Sequence, residues 1–242
     1  MPSATRPPTS YIWDHPSKPD HQDNTKEELR RKSLGNTRGP RLFDPNENGL
    51  FRDIPGRDLI YYNKTKRVNQ LCLQDPITQA MKPYFGTVVI RVGGHRRSLT
   101  PRLNKEHECV APAESWEIFV GDGSEHNASG TTDAGLLETA HGSRFLIILR
   151  ALGTIERIAS TNADLRSFTI LSNFKEEIEI LTTRIETWIQ NSGHHADGKR
   201  IGDFMLANTI DCKLNEMKRR LIKVQFWHTR TCDEFRRPKN FL

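Results

Sequence analysis

The sequence predicts an α/β fold: a mixed sheet flanked by helices, preceded by a disordered N-terminal extension. Three observations carry this. From residue 115 onward, short β-branched or aromatic runs alternate with longer segments of helical period. Their order is strand, helix, strand, helix, helix, strand, which needs crossover connections, and a helix supplies these where neighbouring strands run parallel. Only 35% of the 242 residues are hydrophobic, so part of the chain lacks the apolar surface to fold, and residues 1–48, rich in Pro, Asp, Lys, Arg and Asn, are that part.

Within residues 1–48, positions 25–32 offer a turn or two of helix but no apolar stripe to bury. Residues 49–112 make a poorly defined, strand-containing segment. Leu59-Ile60-Tyr61-Tyr62 and Thr87-Val88-Val89-Ile90-Arg91-Val92 read as strands, the latter expected at a sheet edge, and Gly93-Gly94 turns the chain onward. Residues 113–242 carry the sharpest pattern. Trp116-Glu117-Ile118-Phe119-Val120 is read as the first strand of the domain, ending at Gly121-Asp122-Gly123-Ser124. Residues 141–159 are apolar nearly all round (Phe145, Leu146, Ile147, Ile148, Leu149, Leu152, Ile155, Ile158), which suits a buried helix. Phe168-Thr169-Ile170-Leu171 is a short buried strand. Ile178, Leu181, Ile185 and Trp188 then keep helical spacing behind a capping box of Asn173 and Glu176. A third helix near 203–221 repeats the spacing at Ile210, Leu214, Met217 and Leu221, and Ile222–Trp227 is the last strand.

Composition narrows the function classes. No stretch approaches the roughly 20 apolar residues of a membrane span, and the first residues lack a signal-peptide core, so the expected location is intracellular, nuclear or cytoplasmic. Cys72, Cys109, Cys212 and Cys232 are scattered, with no CxxC pair, which argues against a disulfide framework or zinc ribbon. Residues 1–105 hold 19 Lys/Arg against 10 Asp/Glu, and residues 106–242 hold 17 against 20. The excess positive charge therefore lies upstream of the candidate domain, where it would neutralise nucleic-acid phosphates without reading sequence.

The Val120-Gly121-Asp122-Gly123-Ser124 strand end resembles the first strand of the ribonuclease H type 1 family, and the resemblance extends over roughly residues 115–235. It implies an RNase H-like fold in which Asp122 is the first of four carboxylates that hold two Mg²⁺ ions against an RNA–DNA hybrid. In the same register Glu138-Thr139-Ala140-His141-Gly142-Ser143-Arg144-Phe145 resembles the family's helix-opening motif, with Arg144 at the position of its catalytic Glu. Ser172-Asn173-Phe174 matches the family's Thr-Asp-Ser, so Asn173 stands for a metal-binding Asp. Thr231 falls nearest the family's mobile His, with His228 three residues early. Asp233 or Glu234 would stand for the last Asp, in a domain truncated at its C-terminus.

These departures decide what is expected. Two-metal hydrolysis needs converging carboxylates, and Mg²⁺ wants anionic oxygens. Asp122 supplies one, Asn173 a neutral carbonyl, and Arg144 a repelling charge. Glu138 is the nearest alternative carboxylate. The expected function is a catalytically impaired RNase H-like domain that binds hybrid or duplex through the backbone, with Ser124, Lys213, Lys218, Arg219 and Arg220 (and Lys223 beside them) as contacts. The alternatives are an active Mg²⁺-dependent ribonuclease using Asp122, Glu138 and Asp233, and an α/β domain serving structure or protein interaction.

Overall fold

A computed structural model of the chain describes residues 41–45, 56–75, 77–78, 80–96, 114–132 and 140–230, all within one compact unit, Pro40–Leu242. Among these residues the sheet has eight strands: β1 (Ile60–Asn63), β2 (Val68–Gln74), β3 (Met81–Pro83), β4 (Thr87–Arg96), β5 (Glu114–Phe119), β6 (Ala128–Thr132), β7 (Ser167–Ser172) and β8 (Lys223–His228). Its helices are α1 (Ala140–Thr161), α2 (Lys175–Glu179), α3 (Ile185–Gln190) and α4 (Phe204–Arg219). A π-helical stretch, Ile180–Arg184, joins α2 to α3.

The central strand is β4. It pairs with β7 in parallel from Thr87↔Ser167 to Val92↔Ser172, and β7 pairs with β8 in parallel from Ser167↔Lys223 to Ser172↔His228. The other edge of β4 is shared. Its second half pairs antiparallel with β5, which pairs with β6, while its first half meets β2 at Asn69↔Val89. The main order is therefore β6-β5-β4-β7-β8, with β1 and β3 attached through β2. From β4 onward the elements run strand, two antiparallel strands, helix, parallel strand, two helical segments, parallel strand. That is the mixed, helix-flanked sheet the sequence predicts.

The domain nevertheless begins one strand earlier than the 116–120 run suggests. Thr87-Val88-Val89-Ile90-Arg91-Val92 is the middle of the sheet and not an edge, and it lies before the expected boundary at residue 113. The physical reason is in the run itself. Val88, Ile90 and Val92 face the main core with Phe145, Ile148, Leu152, Phe168 and Ile170, whereas Val89 faces a second cluster with Leu71, Leu171 and Trp227. A nearly continuous β-branched run is what a strand buried on both faces requires.

Three further expectations are corrected. Asn173 does not cap α2: the N-cap is Phe174, without a side-chain cap bond, and Ser172 Oγ accepts the Phe174 N–H at 3.3 Å instead. Leu221 does not continue the apolar stripe of α4; it is exposed, at φ +61°, in the turn after the helix. Residues 41–44, expected within the disordered extension, are packed. Leu42 bridges Phe226 in parallel, and Phe43 is 5% exposed with its ring 5.2 Å from that of Trp227.

Gly121 closes the hairpin against the β1–β2 turn. A Cβ there would sit 2.8 Å from the Arg67 carbonyl oxygen and 2.9 Å from the Tyr62 ring. Neither the backbone atom nor the packed ring has room to yield, so Gly121→Ala should cost about 1–3 kcal/mol, as overpacking does. Thermal unfolding followed by circular dichroism checks this, with Gly123→Ala for comparison. There a new Cβ meets no atom within 4 Å, but φ is +61°, and the penalty should be confined to about 1 kcal/mol of backbone strain.

Candidate functional site

Asp122 and Ser124 belong to the β5–β6 turn. The Asp122 side chain is exposed and its backbone carbonyl accepts a hydrogen bond from the Tyr62 hydroxyl. Asn127 ties the loop together: its Oδ1 accepts the Val120 N–H at 2.7 Å and its Nδ2 donates to the Gly121 carbonyl at 2.7 Å. Ser124 is buried within the loop, and its Oγ accepts the His126 N–H at 3.4 Å. The Asp-Gly-Ser sequence thus has a full local explanation as a turn. Because β5 runs antiparallel to β4, this turn lies at the end of the sheet where β4 and β7 begin.

Asn173 sits at the opposite end. The parallel registers place Val92, Ser172 and His228 side by side, so Gly93, Asn173 and Thr229 follow them on one rim. Carboxyl ends of parallel strands are where open α/β sheets place ligands, and the first turns of α1 and α2 bring more side chains there. Glu177 of α2 is fully buried (0% exposed). Its Oε1 lies 2.6 Å from His141 Nδ1 and accepts from Arg144 Nη1 at 3.3 Å, both from α1. Its Oε2 has no hydrogen-bond partner among the described residues. Arg144 also lies over the Phe174 ring at 5.6 Å, and His141 Nε2 is 3.1 Å from Glu176. The structure therefore brings Arg144 and Asn173 to one end of the fold and leaves Asp122 at the other. Glu138 and Asp233, with Glu234 and Thr231, lie outside the described residues.

His228 completes the rim. Burial, then the positive charges of Lys175 and Arg230, hold its imidazole below the ordinary value. The neutral form is therefore favoured in the folded state, while the unfolded chain takes up a proton near pH 6.5. Stability should fall as pH drops through that value, and His228→Asn should flatten this part of the profile. Urea midpoints between pH 7.5 and 5.5 test it; an unchanged slope in the variant would contradict it.

The described residues bring no carboxylate cluster together of the kind that a pair of Mg²⁺ ions needs. Hard cations need several anionic oxygens at one point, and among the described residues no group of three His, Cys, Asp or Glu could hold a metal ion. At the rim the buried Glu177 carboxylate is already engaged by a guanidinium and an imidazole. On the helical layer, two of the basic residues singled out in sequence are tied inward: Lys213 Nζ is 2.6 Å and Arg220 Nη1 3.8 Å from Glu156 of α1. Arg219 is exposed and its Nε donates to the Asn215 carbonyl at 3.4 Å; Lys218 is half-buried and Lys223 exposed. No helix of the described residues is long and apolar enough to cross a membrane.

Sequence reasoning missed His141 and Glu177 as site residues, and also a buried pair beside β8. Arg41 Nη1 lies 2.7 Å from Asp211 Oδ1, with side chains 9% and 3% exposed. One signal was available. Asp211 interrupts the buried face of α4 between Ile210 and Leu214, and a carboxylate there calls for a cation.

No family model matches the chain, and no curated protein does. Among solved structures it is similar to a foamy viral protease-reverse transcriptase in complex with an RNA/DNA hybrid, at 14% identity and a TM-score of 0.41. The match covers 58% of this chain and 17% of that chain.

Proposed function

We propose that the chain carries a divergent RNase H-like domain that binds nucleic acid through backbone phosphates and does not cut it by two-metal hydrolysis. The observation that carries this reading is the rim at the carboxyl ends of β4, β7 and β8. The side chains described there include Asn173, Arg144, Lys175 and His228, with Glu177 sequestered by Arg144 and His141 and the exposed Glu176 carboxylate 3.1 Å from His141, so cationic and neutral groups outnumber free carboxylates. Cations and neutral donors attract phosphate and repel divalent metal. The net charge of +6 acts in the same direction.

The test uses a labelled RNA–DNA hybrid with the full chain. Anisotropy should show binding that weakens roughly 10- to 100-fold between 50 and 200 mM salt, the dependence expected for two to four neutralised phosphates. No cleavage should appear with Mg²⁺ or Mn²⁺, and Asp122→Asn should change neither result. Metal-dependent cutting that Asp122→Asn abolishes would overturn the reading in favour of an active ribonuclease completed by carboxylates such as Glu138 and Asp233. Absence of both binding and cutting would leave a structural or protein-interaction domain.

A further inference from the structure

The outer edge of β8 is not bare. Phe226 donates its N–H to the Arg41 carbonyl at 2.7 Å, and its own carbonyl accepts the Phe43 N–H at 2.7 Å, so residues 41–43 lie as an added parallel strand. Gln225 Nε2 donates to the Leu42 carbonyl at 3.4 Å. Leu42 is 44% exposed, whereas Arg41 and Phe43 diverge to opposite faces of the sheet, Arg41 to the helical layer at Asp211 and Phe43 to the second cluster beside Trp227.

The arginine pocket is polar and specific. Nη1 donates to Asp211 Oδ1 at 2.7 Å and to the Leu181 carbonyl at 3.2 Å, and Nη2 donates to Asn215 Oδ1 at 3.0 Å. Asn215 Nδ2 in turn donates to Asp211 Oδ2 at 2.9 Å. Three acceptors from two helical elements thus converge on one guanidinium fork, a geometry that lysine cannot satisfy. The aromatic pocket holds Phe43 against Trp227, over Leu59, Ile60, Leu71, Val89 and Leu171. An edge strand that fixes an extended segment by backbone bonds, with pockets for alternate side chains, is a peptide-recognition surface.

We propose that the outer edge of β8, with the Asp211 pocket of α4 on one face of the sheet and the Trp227 cluster on the other, is a recognition site for an extended segment carrying arginine two residues before an aromatic residue. Its resident occupant is Arg41-Leu42-Phe43 of the same chain, tethered and displaceable. The inference goes beyond the nucleic-acid reading and does not depend on it. The segment is held by two backbone bonds, the arginine fork and the Phe43 ring, contacts that a free peptide of the same sequence can also make.

The probe is a fluorescein-labelled peptide of residues 38–47, and the receptor is the full chain with Arg41→Ala and Phe43→Ala together. Saturable anisotropy is expected with a dissociation constant of about 10–100 µM, weakened at least roughly tenfold when the peptide's arginine is alanine or the receptor also carries Asp211→Asn. Where the double variant does not fold unaided, the readout becomes peptide-dependent recovery of its cooperative melt. Neither binding nor recovery up to about 1 mM peptide, or binding indifferent to Arg→Ala and Asp211→Asn, overturns the proposal.

Discussion

Replacing Arg41 by alanine should remove about 3–5 kcal/mol of stability, the range measured when one partner of a buried ion pair is deleted. The change leaves Asp211, 3% exposed on the core face of α4, without its guanidinium. It also strips a donor from Asn215 and from the Leu181 carbonyl. In a chain of this size such a loss corresponds to a fall in melting temperature on the order of 6–20 °C. Arg41→Lys should recover only part of it, because an ammonium cannot serve Asp211, Asn215 and Leu181 together in the fork geometry. Arg41→Met with Asp211→Leu should return most of the loss, since a packed apolar pair of similar volume usually equals a buried ion pair. Urea unfolding of the four proteins checks the series. A cost below about 1 kcal/mol for Arg41→Ala would be typical of an exposed pair and would mean that the segment is undocked in solution.

This pair also shows where sequence reasoning reaches and where it stops. The helices at 140–161 and 204–219 and the strands at 167–172 and 223–228 were legible because each carries its own period and its own apolar face. The central strand was legible as a strand but not as central. Its role depends on pairing with β7, where Thr87 meets Ser167 and Val92 meets Ser172 far along the chain, and no local pattern records a partner. Asp122 shows a related limit: a strand ending in Asp-Gly-Ser is the outline of a metal-bearing strand and equally of a hairpin turn, here closed by Asn127. The strap at residues 41–44 was hidden by composition. So short a strap in a polar stretch leaves no periodicity, and only the carboxylate at Asp211, far along the chain, hints that an arginine must arrive. What distinguishes these cases is range. Features fixed within one turn or one strand can be read; features that exist only as a meeting of distant segments cannot.

Arg144→Glu, which restores the carboxylate implied by the family resemblance, should not restore a metal site and should destabilise the fold more than Arg144→Leu does. The reason is Glu177. With Arg144 gone, Oε1 keeps only His141, and Oε2 already has no hydrogen-bond partner among the described residues. Because Arg144 is itself 36% exposed, solvent moderates the loss, and Arg144→Leu should cost about 2–3 kcal/mol rather than the full range for a buried pair. A glutamate adds repulsion between two carboxylates, worth roughly 4 kcal/mol at 4 Å in an effective dielectric of about 20, before side-chain rearrangement lowers it. The repulsion also sets the pH dependence. Two adjacent carboxylates share a proton more readily than either holds one alone, which raises the affinity of the pair for protons in the folded state. Arg144→Glu should therefore gain stability relative to Arg144→Leu as pH falls from 7 toward 5, the opposite of the wild-type trend assigned to His228. Pairing Arg144→Leu with Glu177→Leu should recover most of the loss. Calorimetric titration with Mn²⁺ separates the chemistry from the stability: Arg144→Glu alone should show no binding, because Gly93 and Asn173 still leave the rim without converging oxygens. Gly93 has open space where a Cβ would stand, so Gly93→Asp and Asn173→Asp can be combined with Arg144→Glu. Only that triple replacement sets three new carboxylates on one rim, and Mn²⁺ binding should appear there first. Binding by the single Arg144→Glu variant would instead show that the rim lacks one ligand and not a whole site.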